Sequence, residues 1–516
     1  MARRTVKPRR FRNGPTFRNG LDSQLAGLDY FMDAIRFVDT TLRDGHQSLW
    51  AEAMLTGMIL PIAETMDRAG FEAIELVAPS FFKKACREFK EDIWQRIRLV
   101  RQRITHTPLR GIRNRYMAGF QVTPPCASQL WLERLAANGI RQLRSSDPSN
   151  TVANWREMVR SANEVGLATI INLIFSESPK HTDAYYIGRA REAAKLQPAR
   201  ICLKDPGALL TPERTCSLVP AVLHAVGKIP LELHTHCITG LGPRCCLEAA
   251  KLGVRSINTA IPPLANGSSN PSLFNVAKNL RAMGFTTEVD ESVLQRVELH
   301  FTSIAKQEGF PIGAPREFDC AHVRHQVPGG MVSNFRFQLS KLGMAERIDE
   351  VLEEVARVRE ELGFPIMVTP YSQFVGVQGA MNVILGERYK EVTDELIQYA
   401  GGVWGDEEQR SINTDIKDRI LDRPRARELA RIQPREVSIR DFRAKLGGPD
   451  VSDDELLLRY FAGKDDVEAM KAAGPVRKYI STRQPLVALI EQLSKRKGYR
   501  QISIRRGALS IRLGKR

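Results

Sequence analysis

The sequence predicts a (β/α)8 barrel, followed by a mainly helical region and a small C-terminal α+β segment. Between about residues 35 and 261, eight strand-like runs alternate with helical stretches, so the apolar period switches repeatedly between two and about 3.6 residues. Polar residues gather at the C-terminal ends of the runs, where barrels of this kind carry their reactive groups. No Gly-x-Gly-x-x-Gly follows the first run, which argues against an open nucleotide-binding sheet.

Taken in order, the expected strands are 35–41, 71–78, 108–112, 142–147, 168–175, 200–205, 231–237 and 256–261. Helical patterns intervene, as at 131–138, 184–196 and 211–226. The first run leads into Asp39-Thr-Thr-Leu-Arg43-Asp44-Gly-His-Gln47-Ser. The sixth ends in Lys204-Asp205-Pro206-Gly207, the seventh in His234-Thr-His236, and the eighth carries Asn258-Thr259. Past about residue 290 helices dominate: Ile348, Leu352, Val355, Val358 and Leu362 recur at spacings of four and three, an apolar helical face that packs a core. A charged stretch with Pro424 and Pro434 marks a linker, and 501–506 with 509–513 forms a terminal hairpin around Gly507-Ala508. The expected organisation is a basic arm at 1–30, a catalytic barrel at 31–315, a helical domain completing the active-site funnel at 316–422, a linker at 423–436, and a basic segment at 437–516 assigned to subunit docking.

At 516 residues the chain is long enough for more than one domain. Its net charge of +17 raises the question of nucleic acid, but position answers it. The first twenty residues carry seven basic side chains and no acid, and the last twenty-three carry nine and no acid, so the middle is nearly neutral. The leading arm lacks an apolar secretory core, and its Pro8, Gly14, Pro15 and Gly20 argue against an amphipathic transit helix. No apolar run approaches the ~20 residues that a spanning helix needs. The eight cysteines are scattered, without Cys-x-x-Cys spacing, and read as buried thiols of a cytoplasmic protein.

His234 and His236, two apart on a strand, project to one face and can converge on one divalent cation. Asp44 is the natural anionic partner, and a carboxylate with two imidazoles suits Zn²⁺, Mn²⁺ or Co²⁺. Singly these residues have plainer readings, Asp44 as a helix cap and the histidines as satisfied core groups. Gathered at strand ends, they favour a metalloenzyme.

Five ordered stretches then carry a resemblance: Asp39-Thr-Thr-Leu-Arg-Asp-Gly-His-Gln-Ser-Leu49, Ile201-Cys-Leu-Lys-Asp-Pro-Gly-Ala-Leu-Leu-Thr-Pro212, His234-Thr-His-Cys-Ile-Thr-Gly-Leu241, Pro328-Gly-Gly-Met-Val-Ser-Asn334 and Met367-Val-Thr-Pro-Tyr-Ser-Gln-Phe-Val-Gly376. Across about 35–400 the chain resembles the carboxyltransferase domain of biotin-dependent enzymes: pyruvate carboxylase, the oxaloacetate decarboxylase α subunit and the pyruvate-side subunit of transcarboxylase. The resemblance implies a metal, zinc first with manganese or cobalt as alternatives, held by Asp44, Lys204, His234 and His236. It implies that Lys204 is N6-carboxylated, since an ammonium has no lone pair for a cation. The plainer reading of Lys204 is a salt bridge with Asp205. Arg43 and Gln47 become substrate-facing, and Thr369 becomes the proton shuttle between biotin and the acceptor, its plainer role being to cap the turn before Pro370.

The chain departs from that pattern at strand three, where the family's Leu-Leu-Arg-Gly-x-Asn has no clean match and Asn114 falls at the arginine's place in an ungapped alignment. Arg110, Arg113 or Arg115 are the candidates to replace it. Ala51-Glu52-Ala53 stands where the family commonly has Ala-Thr-Arg, and Asn258, placed in the acceptor pocket, where it commonly has Asp. Glu468-Ala-Met-Lys471 resembles a biotinylation core but reads as a short helix, so biotin is expected in trans. The implied partners are a biotin carboxyl carrier protein and a biotin carboxylase subunit, in a homo-oligomer, with a small-molecule acceptor such as pyruvate and without nucleic acid. Competing expectations are an oxaloacetate-type decarboxylase running in reverse, and a carbon–carbon lyase or synthase like HMG-CoA lyase or isopropylmalate synthase.

Overall fold

The computed structural model describes residues 34–119, 122–431, 437–476, 478–479, 493, 501–506 and 509–514. The basic arm at 1–30 falls outside these residues, as does the turn of the terminal hairpin.

Eight parallel strands close into a barrel: β1 (Arg36–Asp39), β2 (Ala73–Val77), β3 (Leu109–Arg113), β4 (Gln142–Ser145), β5 (Ala168–Ile174), β6 (Arg200–Asp205), β7 (Leu231–Thr235) and β8 (Ser256–Thr259). Closure is set by β1, which pairs with β2 on one side and with β8 on the other. One strand lies in each expected run. The first is shorter than expected because Thr41–Gly45 leaves the sheet in a wide π-helical turn.

Alternation along the strands sorts the side chains. Ile74, Leu76, Leu143, Ile171, Leu173, Ile201, Leu203, Leu231, Leu233 and Ile257 pack outward into one core with the surrounding helices. Each such buried side chain contributes roughly 1.5–3 kcal/mol. The opposite faces carry Glu75, Arg110, Arg144, Lys204, Glu232, His234 and Asn258. Arg110 on β3 reaches Glu232 on β7, strands that are not neighbours, so this set fills the barrel's interior. The helices start on ordinary signals: Thr211 caps Pro212–Val226 and Thr182 caps Asp183–Lys195. Pro125 opens Pro125–Ala137 six residues before its expected start, because proline suits the first helical turn.

A second core lies in the helical part, where Ile348–Glu361 packs on Tyr371–Leu385. The expected stripe is buried, except that Val351 takes the inner place and Leu352 is half-buried. The two helices cross closely at Gly379, where a Cβ would stand 2.6 Å from Val355 Cγ2.

The stretch expected to be a linker begins instead with the helix Pro424–Arg431, whose Ala426 is buried in the second core. The region expected as a small α+β segment and assigned to subunit docking holds helices and a hairpin. Helices Ile439–Leu446, Asp453–Ala462 and Lys464–Ala473 fold back on the barrel, where Phe461 stacks on Phe82 at 4.7 Å and Asp454 accepts from Arg98 and Arg134. Their buried Leu456, Leu457 and Val467 explain why: these helices have an apolar face of their own. Lys471 sits on the last of these helices, bonded to Glu455 at 2.6 Å, as its helical reading requires. The hairpin strands Gln501–Arg506 and Leu509–Gly514 pair antiparallel. All eight cysteines are free, but Cys216 and Cys320 are exposed rather than buried. Among the described residues no helix is long and apolar enough to cross a membrane.

Candidate metal centre at the barrel mouth

Three side chains converge where β7 ends. His234 Nε2 lies 3.3 Å from Asp44 Oδ2, His236 Nε2 lies 3.4 Å from Asp44 Oδ1, and the two Nε2 atoms are 3.1 Å apart. All three residues are buried, and their ligand atoms lie within 4.8 Å of one another. The π-helical turn after β1 carries Asp44 inward, and strand alternation brings the two histidines to one side.

Both imidazoles are turned so that they offer Nε2. His236 Nδ1 lies 2.7 Å from Ser268 O, an acceptor only, so Nδ1 carries the proton. Behind His234, Asn258 donates through Nδ2 to Glu232 at 2.7 Å and accepts through Oδ1 from Arg144, which fixes its amide. His234 Nδ1 lies 2.8 Å from that same oxygen and 3.1 Å from the Arg144 guanidinium, so Asn258 and Arg144 together hold the ring. The two Nε2 atoms face each other beside a carboxylate, an arrangement that suits a divalent cation. Asn270 Nδ2 donates to Thr235 O at 2.8 Å and lies 3.3 Å from His234 Nε2.

Burial works to raise the Asp44 carboxyl and to lower the His234 imidazole. For Asp44 the Arg43 guanidinium and the imidazoles prevail, holding it well below the usual carboxylate range. For His234 burial prevails and pulls the ring to about 3, so it stays neutral and able to ligate. Asp44 caps no helix; it accepts instead from Ser48 at 2.9 Å and pairs with Arg43 at 2.8 Å.

Lys204 is aligned with His234 on the neighbouring strand and is 6 % exposed. It makes no salt bridge with Asp205, whose carboxylate accepts from the Leu209 and Leu210 amides and from Thr235. Burial, reinforced by Arg43, pulls the Lys204 amine down to about 8, so a free amine is within reach near neutral pH.

Beneath the centre lies a layer of buried ion pairs. Glu75 pairs with Arg43 at 2.5 Å and Arg144 at 2.9 Å, while Glu232 pairs with Arg110 at 2.8 Å and also with Arg144. Sequence reasoning does not single out Glu75, Arg144 and Glu232. Their signal is a lone charge inside each apolar strand, with Glu232 two residues before His234 and so on its face.

The other predicted residues are placed as follows. Half-buried Gln47 accepts from Arg43 at 3.3 Å and donates to Glu52 at 3.2 Å. Arg110 is fully buried against Gln142 and Glu232, and Arg113 is buried against Glu157, both committed to carboxylates. Arg115 is half-buried beside Trp404 O, and the buried Asn114 Oδ1 has no partner. Asn258 lies behind His234, deep in the barrel. Thr369 is exposed, two residues before the helix Tyr371–Leu385.

Residues 34–299, the barrel, match the HMGL-like family. Residues 323–482 match the conserved carboxylase domain, which narrows the class. Among relatives, a pyruvate carboxylase component of Methanocaldococcus jannaschii is 34% identical over 390 residues, covering 75% of this chain and 68% of that protein. The 2-oxoglutarate carboxylase large subunit of Hydrogenobacter thermophilus is 31% identical over 437 residues, covering 83% and 67%. The chain belongs to the family of carboxyltransferase components of biotin-dependent carboxylases. The carboxyl transferase domain of Rhizobium etli pyruvate carboxylase, solved with pyruvate and biocytin, has the same fold, with a TM-score of 0.78 at 23% identity over 87% of this chain and 79% of that one.

Proposed function

We propose that this chain moves CO2 between carboxybiotin, carried by a partner protein, and an enolisable 2-oxo acid, pyruvate first among them. The observation that carries the reading is the pair of pinned imidazoles whose Nε2 atoms face Asp44, with the Lys204 amine on the adjoining strand. Asp44, His234, His236 and a carboxylated Lys204 would hold zinc, or manganese or cobalt, which supplies Lewis-acid stabilisation of developing enolate charge.

Charge balance supports carboxylation of Lys204. Arg43, Arg110 and Arg144 are already offset by Asp44, Glu75 and Glu232. A divalent ion beside an ammonium would leave the interior strongly positive. A carbamate on Lys204, with the acceptor's own carboxylate, restores neutrality.

The chain's residues then divide the work. Thr369 Oγ1 gives a proton to the biotin nitrogen that releases CO2 and takes the one lost from the acceptor's carbon, since a hydroxyl both donates and accepts. Arg43 and Gln47 face the acceptor. Asn258, given its place behind His234, holds that ring rather than touching the acceptor. Of the strand-three arginines, Arg115 has no carboxylate partner among the described residues and is the one free to meet the acceptor's carboxylate.

The subunit make-up of the carboxylase relatives supports, as part of this proposal, assembly with a biotinylated carrier protein, a biotin carboxylase subunit and further copies of this chain, in the cytoplasm. Purification from the source organism should yield a co-eluting biotinylated chain, and a screen of 2-oxo acids should show CO2 transfer to pyruvate or a near relative. Acyl-CoA cleavage without any biotinylated partner would replace this reading with the lyase one.

A further inference from the structure

We infer that Arg359 is a positioning residue for CO2 transfer, a strut that sets the Thr369 segment against the barrel through one forked guanidinium. The inference rests on the role proposed for Thr369.

Arg359 is 4 % exposed, yet it makes no ion pair with a carboxylate among the described residues. Burying a cation without a counter-ion is costly unless its donors are well satisfied. Here they are spent on oxygens from two separate parts of the molecule. Nε donates to Pro365 O at 3.1 Å, four residues before Thr369. Nη2 donates to Ser176 Oγ at 3.0 Å and to Glu177 O at 3.1 Å, in the loop that follows β5 at the barrel mouth.

That loop is itself anchored. Ser176 Oγ donates to Gln326 at 3.0 Å, and the Ser176 amide donates to the Tyr186 hydroxyl at 2.7 Å. On the other side, residues 366–369 belong to no helix or strand, and Thr369 is exposed. The nearby ring of Phe364, 5.5 Å from the guanidinium, closes the pocket around it.

Simple cohesion between barrel and helices could come from apolar contacts at lower cost. A planar fork supplies direction, because its donors fix distance and angle together. A hydroxyl that must meet two proton partners in turn needs that direction, since a displacement of about 1 Å can lower rate about 100-fold.

The test uses the metal-loaded chain with its biotinylated carrier and pyruvate. Arg359→Met is expected to lower kcat about 100-fold, with KM for pyruvate within about twofold and zinc content unchanged. Arg359→Lys, which keeps the charge but not the fork, should recover part of the loss. Ser176→Ala removes one acceptor of the fork and is expected to lower kcat about three- to tenfold; it decides the matter if Arg359→Met does not fold. Wild-type kcat in Arg359→Met, or in Ser176→Ala where that variant decides, overturns the strut, as does a loss that appears only in KM. If Thr369→Ala is inactive while both others are wild-type, only the strut fails; if Thr369→Ala is fully active, the reading beneath it fails.

Discussion

Inside the barrel, His234, Asn258, Arg144 and Glu232 are fully buried and bonded to one another, whereas Thr369 stands exposed on a segment held largely through its backbone. The first region fixes donor atoms by mutual satisfaction: each charge has an opposite, and each amide end a partner. The second leaves its hydroxyl free and controls only where the chain runs. On the proposed roles, the contrast teaches that holding a cation and moving a proton ask different things of a fold. One needs rigid, desolvated ligands; the other needs a group that can change partners.

The comparison breaks most sharply at the cation ligands. Asp44→Ala or His234→Ala should reduce bound zinc to background by elemental analysis and abolish transfer, since a structural set of four donors that loses one makes a much poorer site. Retained metal and activity in both would remove the centre altogether. Thr369→Ala should abolish transfer just as fully while leaving zinc content intact and unfolding free energy within about 0.5 kcal/mol, because the side chain is exposed. A simultaneous loss of metal would show that the two regions are not separable.

Third in size is Glu232→Gln, which leaves Arg110 and Arg144 short of a buried counter-charge. Denaturant titration should show a loss of about 3–5 kcal/mol. Breaking an exposed ion pair, such as Arg425 with Asp394, should leave the denaturant midpoint nearly unmoved, because solvent screens it.

The smallest effect is a pH dependence of the metal-free protein. Lys204 has a folded value near 8 against 10.5 for a free lysine, so between those values the unfolded chain binds the extra proton. Stability contributed by this group therefore rises as pH increases from about 8 to 10.5, by at most roughly 3 kcal/mol. Comparison with Lys204→Met, which lacks the rise, isolates it from other groups that titrate there. Identical pH profiles would show that Lys204 is not desolvated.

The eight β units, the triad of Asp44, His234 and His236, and the helical stripe at 348–362 were legible in the sequence, because period and residue type are local properties. Two imidazoles at i and i+2 on a strand share a face whatever surrounds them. Glu75, Arg144 and Glu232 stood in the same strands but looked like isolated charges, since their partners lie on strands across the barrel. The docking of 439–473 was not legible, because its few apolar residues find their partners on the barrel, hundreds of residues away in sequence. Strand three showed the limit most clearly: four polar residues close in sequence offered equivalent candidates until folding sent Arg110 inward and Arg113 outward, leaving Arg115 beside Trp404. The amino-acid order determined which groups could ligate, donate or shuttle. Barrel closure decided which of them meet, because contacts between residues a hundred or more apart depend on strand register and not on sequence spacing.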